Sequence, residues 1–79
     1  MQVMHEVCCG LDVHKKSVTA CVLWASGQRQ KREFGTFPKD LLELSDWLRG
    51  CGVTPVALES TGVYWKPVWN LLEGQFEIL

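Results

Sequence analysis

Glu6-Val7-Cys8-Cys9-Gly10-Leu11-Asp12-Val13 reads as an apolar strand with one carboxylate near its far end. The extended stretch runs from about His5 to Val13. A strand that looks buried excludes an ionised side chain unless the charge is paired or bound to a metal. What accompanies Asp12 therefore decides how the chain is read. The expectation is a divalent metal shared with Glu59.

Outward from that strand, His14-Lys15-Lys16 forms a polar turn. Ser17 to Trp24 alternates Ser17, Thr19 and Cys21 against Val18, Ala20, Val22 and Trp24, the pattern of a half-buried strand. Ala25-Ser26-Gly27-Gln28 is a hairpin turn in which Gly27 can take positive φ. The third strand, about Arg29 to Phe37, is heavily charged, which suits a sheet edge.

Pro38 opens a helix. Asp40 and Glu43 lie in its early turns, where the helix dipole favours anions. Leu41, Leu44 and Leu48, with Trp47 beside them, form an apolar stripe at helical spacing. Gly50 and Gly52 end it. Thr54 to Glu59 is a short strand reached by a helical crossover, hence parallel to its partner. Ser60 or Thr61 is expected to cap a second helix, with Trp65, Val68, Trp69 and Leu72 on one face. Pro67 is tolerable only in the first turn of that helix. Gly74 stops it, and Phe76 to Leu79 begins a last strand.

The order β-β-β-α-β-α-β is that of an α/β, ribonuclease-H-like fold with a mixed sheet. In that arrangement the first strand lies centrally, beside the fourth and parallel to it. Adjacent strands are ~4.8 Å apart, so Asp12 and Glu59 come within reach of a common ion. They also fall at the carboxyl ends of parallel strands, where open α/β sheets gather their ligands.

Composition bounds the function. At 79 residues the chain is one domain or part of one. With 47% apolar and 22% charged residues it is an ordinary globular sequence. A net charge of -1 makes no bulk case for nucleic acid, although Arg29, Lys31 and Arg32 cluster, as do Lys15 and Lys16. No apolar run approaches the roughly 20 residues that span a bilayer, and no signal peptide is evident. Cys8, Cys9, Cys21 and Cys51 lack CxxC spacing. They read as reduced core thiols of a cytoplasmic protein, with adjacent Cys8 and Cys9 on opposite faces.

Two accounts fit Asp12 and Glu59 equally. They hold Mg2+, which needs only one or two protein carboxylates besides substrate phosphates, or Asp12 caps its turn and Glu59 pairs with a lysine. Ser60-Thr61-Gly62-Val63-Tyr64 supplies hydroxyls and backbone N–H groups that can meet a phosphate, or simply a helix cap. Tyr64, Trp65 and Trp69 could stack bases, but aromatic spacing on a helix usually means core; Trp69 reads as core, and Tyr64 is open between the two. His14, Lys15 and Lys16 can contact a phosphate backbone, though exposed turn residues are the better account. The Arg29–Arg32 group is better explained as a solvated edge. His5 has little support as a metal ligand, and Ser17 has no partners for a nucleophilic triad.

Two blocks resemble the N-terminal part of bacterial insertion-sequence transposases with a RuvC-like, four-acid (Asp-Glu-Asp-Asp) domain, the one-ten or eleven-eleven family. Gly10-Leu11-Asp12-Val13-His14-Lys15-Lys16-Ser17-Val18 is similar to the first-acid strand and turn. Val56-Ala57-Leu58-Glu59-Ser60-Thr61-Gly62-Val63-Tyr64-Trp65-Lys66-Pro67-Val68, continuing through Gly74, is similar to the second-acid motif. The resemblance implies that Asp12 and Glu59 are the first two metal-binding acids of an Mg2+-dependent enzyme that cuts and joins DNA in transposition. It further implies a second domain with a serine nucleophile, a guide RNA encoded by the element, and homo-oligomers in full-length members. The family's other two acids lie beyond the fifth strand. Residues 1–79 are thus expected to be a truncated RuvC-like domain, incomplete at the C-terminus, with poor metal affinity. The competing functions are an actin- or sugar-kinase-like ATPase fragment and a noncatalytic interaction fragment that self-associates through a bare sheet face. The run Asp12-Val13-His14-Lys15 lacks the glycine with which that ATPase class closes on phosphate.

Overall fold

The computed structural model describes residues 7–78. His5 and Glu6, the first two positions of the expected opening strand, lie outside that range, as does Leu79. The elements follow the expected order: β1 (Val7–Val13), β2 (Val18–Trp24), β3 (Arg29–Phe34), α1 (Pro38–Gly50), β4 (Pro55–Ser60), α2 (Trp65–Leu72) and β5 (Glu77–Ile78). The strands form one mixed sheet in the order β3-β2-β1-β4-β5. β1 pairs antiparallel with β2 and parallel with β4.

Period-2 alternation sorts the side chains onto two faces. Cys9, Leu11 and Val13 of β1, Val18, Ala20 and Val22 of β2, and Val56 of β4 point to one face and are buried. Leu41, Leu44 and Leu48 of α1 and Val68 and Leu72 of α2 cover that face, so both helices lie on the same side of the sheet. The opposite face carries Gly10, Asp12, Thr19, Lys31, Ala57 and Glu59 and is open among the described residues. Around the two acids its side chains are small or charged, while Leu23, 39% exposed, and Cys8 lie on the same face toward the other end of the strands.

The charged third strand is an edge, as its composition predicts, but it ends at Phe34, three residues before the expected limit. Phe34 turns into the core, and Gly35 starts the descent into α1. A Cβ at Gly35 would collide with the Asp40 carboxylate. That carboxylate reaches back 3.2 Å to accept the Phe37 backbone N–H, satisfying a donor at the helix entrance. Arg32 fastens this edge to α1. It is 2.7 Å from Glu43 and lies over the rings of Phe34 and Trp47, 4.8 and 5.8 Å from their centroids.

At α2 the expected cap is displaced. Ser60 ends β4, and the helix starts at Trp65 after a turn through Gly62 and Tyr64. The reason lies in backbone pairing. The Thr61 N–H donates to the Val13 carbonyl at 3.1 Å, extending the β4–β1 contact past the strand and delaying the helix. Pro67 consequently sits in the first turn, where no intrahelical donor is lost. Trp69 is not the core residue its spacing suggested. Trp65 and Trp69 are half-buried and pack edge to face, with centroids 6.2 Å apart, against β4, while Val68 and Leu72 fill the interior.

The four cysteines are free thiols, and of these only Cys9 is fully buried. Cys8 faces the other side of β1, as adjacency on a strand requires. No helix among the described residues is long and apolar enough to cross a membrane.

Candidate functional site

Asp12 and Glu59 are direct Cα partners in the parallel β1–β4 ladder. With neighbouring strands ~4.8 Å apart and a side-chain period of two, register puts both carboxylates side by side on the same face. They line one groove of about 360 Å3 on the open side of the sheet. The floor beside them is low, because Gly10, Ala57 and Cys21 stand in adjacent register there. The fold itself does not demand glycine at position 10. A Cβ built there meets no heavy atom within 4 Å, and Gly10 is not among the positive-φ glycines.

Burial does not account for Asp12. Its side chain is 58% exposed, so no desolvation penalty forces it to find a partner. β1 does alternate, with Cys9, Leu11 and Val13 inward, and Asp12 is on its outward face. The case for a shared ion rests instead on register. Neither acid is paired with a lysine among the described ion pairs, so the lysine account of Glu59 has no contact behind it.

His14 is the partner that Asp12 does have. Its Nε2 lies 3.2 Å from Asp12 Oδ2, and its Nδ1 lies 3.0 Å from Thr61 Oγ1. A carboxylate only accepts, so Nε2 carries the proton, and in the neutral ring Nδ1 accepts from the Thr61 hydroxyl. The Thr61–His14 contact thus joins residues 47 positions apart, and the ring carries it on to Asp12. Metal-binding carboxylates are commonly oriented by just such outer hydrogen bonds. From sequence, His14 is a turn residue able to touch a phosphate backbone. Its i+2 spacing from Asp12 on a strand is the signal that finds it, since both then share a face.

Lys31 is the second residue that sequence reasoning missed. Its charged neighbours suggest a solvated edge, yet alternation puts it on the open face and strand order brings it to the wall of the same groove. Lys15 and Lys16 are exposed in the β1–β2 turn, and Tyr64 is 39% exposed before α2. Thr61 reaches the constellation through His14, its backbone N–H being taken by Val13. Ser60 donates only to the adjacent Thr61 carbonyl, at 3.4 Å.

The donor set suits a hard divalent cation, since two exposed carboxylates in register offer oxygen ligands and leave room for water and phosphate. It does not suit an all-protein cage. Among the described residues no group of three or more His, Cys, Asp or Glu side chains is placed to hold a metal.

Comparison with known proteins adds one finding. A family model for DEDD transposases, named for IS110 and described as a transposase, matches residues 9–78. The match spans both acids, the relay and the turn before α2. No curated protein matches the chain.

Proposed function

The chain belongs to the IS110-type DEDD transposase family, and from that premise we propose that it acts on DNA as part of a ribonuclease-H-like, RuvC-like catalytic domain. In this reading Asp12 and Glu59 hold Mg2+ for strand cleavage and joining. The observation that carries it is the ladder pairing of Asp12 with Glu59 on the open face, beside an uncrowded groove. The mixed sheet with β1 central and parallel to β4 supports the fold assignment.

When bound, Mg2+ supplies charge stabilisation at phosphoryl oxygens and activates an attacking hydroxyl or water. The chain's own groups do the rest. His14 donates to one oxygen of Asp12 and is itself held by Thr61, which fixes the carboxylate's orientation. Lys31, across the groove, offers an ammonium to a phosphate brought to the acids. Lys15 and Lys16 meet the backbone of the same strand, and Tyr64 offers a stacking face. The low floor at Gly10 and Ala57 lets the sugar-phosphate chain approach the sheet.

Mn2+ titration followed by NMR tests the reading. Paramagnetic broadening is expected first at the amides around Asp12 and Glu59, and Glu59→Gln should abolish it. Broadening centred elsewhere, or unchanged in the variant, would remove the metal assignment.

A further inference from the structure

Around the rim from the acids, at the same carboxyl end of the sheet, lies a second groove of about 420 Å3. His14, Lys15, Thr36, Tyr64 and Lys66 frame it, over an apolar floor that includes Leu41 and Val68. Its size falls within the range of small-molecule sites. His14 belongs both to this groove and to the Asp12 relay, so the two sites are contiguous.

Three features specify an occupant. Among the described residues no carboxylate lines the groove, and neither Lys15 nor Lys66 takes part in an ion pair. Val63 and Tyr64 give solvent a large apolar and aromatic surface, at 64% and 39% exposure. The β1–β2 turn is braced rather than loose, since the Thr36 hydroxyl donates to the Lys15 carbonyl at 3.4 Å. A ring face beside two unpaired ammonium groups fits a base joined to a phosphate. There is also an electrostatic need. Adjacent carboxylates repel a phosphodiester backbone, so cations close by must offset that repulsion when a strand approaches.

We propose that this groove seats one unpaired nucleotide of a DNA strand, next to the phosphate presented to Asp12 and Glu59. Its base stacks on Tyr64, and its phosphates meet Lys15 and Lys66. The nucleotide is unpaired because a base inside a duplex has no free face for the ring. This inference rests on the transposase reading.

Fluorescence anisotropy of labelled oligo(dT) on the 79-residue protein, in EDTA, tests it. Tyr64→Ala should weaken binding at least about fivefold, and Tyr64→Phe should retain it. The double variant Lys15→Ala/Lys66→Ala should reduce the slope of log K against log salt by about 1.4, roughly 0.7 for each phosphate no longer neutralised. Arg29→Ala, at the far end of β3, should change neither. A wild-type chain that fails to bind, a Tyr64→Ala variant that binds normally, an equal loss in Arg29→Ala, or tighter binding of oligo(U) or duplex would each overturn the proposal. The metal reading fails separately. Groove variants leave Mn2+ broadening at the acids unchanged, whereas Glu59→Gln abolishes that broadening yet, by removing a charge that repels the strand, does not weaken binding in this metal-free assay.

Discussion

Glu59→Gln is expected to reverse sign with metal. Its ladder partner Asp12 is mostly in solvent, so the water limit of Coulomb's law applies. Two like charges ~5 Å apart then repel by about 0.8 kcal/mol. Removing one should stabilise the metal-free chain by up to that amount at low ionic strength, a rise of about 3–6 °C in Tm for a domain of this size. Mg2+ at about ten times its Kd should add about 1.4 kcal/mol to the wild type through binding to the folded state alone. The variant, having one carboxylate, should gain almost none of this. The two melting curves should therefore cross: the variant melts higher in EDTA, the wild type higher in Mg2+. Differential scanning fluorimetry across an Mg2+ titration, with Ca2+ and salt-matched controls, gives the comparison. A variant that responds to Mg2+ as the wild type does, or that loses stability in EDTA, would refute the reasoning that register alone makes these acids a cation site.

Other expectations follow from the same geometry. His14→Ala or Thr61→Val should weaken Mg2+ binding about 10- to 100-fold by releasing Asp12 from its orienting hydrogen bond, as calorimetry would read, with little change in Tm. Gly10→Val should raise stability by about 0.5–1 kcal/mol, because the strand backbone accepts a side chain without contact, yet should narrow the groove and reduce cation-dependent DNA binding. Burial pushes the Cys9 thiol up from 9.0 to about 12. The unfolded chain therefore loses that proton first as pH rises. The stability Cys9 contributes is full below pH 9 and falls between about 9 and 12, so alkaline melts of Cys9→Val should show a shallower decline over that window.

Local pattern was sufficient for much of this protein. Alternation marked β2, charge marked β3 as an edge, and the leucine stripe with Pro38 and Gly50 marked α1. A helical crossover implied a parallel fourth strand, and the element order, read as ribonuclease-H-like, set that strand beside β1 and so Asp12 beside Glu59. These follow from sequence because strand and helix periods are properties of neighbouring residues, and crossover handedness constrains the rest. Which face the helices cover was not legible. It depends on packing of α1 and α2 over β1, and it turned Asp12 from an expected buried charge into an exposed one. The Thr61–His14 contact, the arrival of Lys31 at the acids' groove and the late start of α2 were hidden for the same reason. Each is fixed by hydrogen bonds or register between strands distant in the chain, and no local window contains both partners.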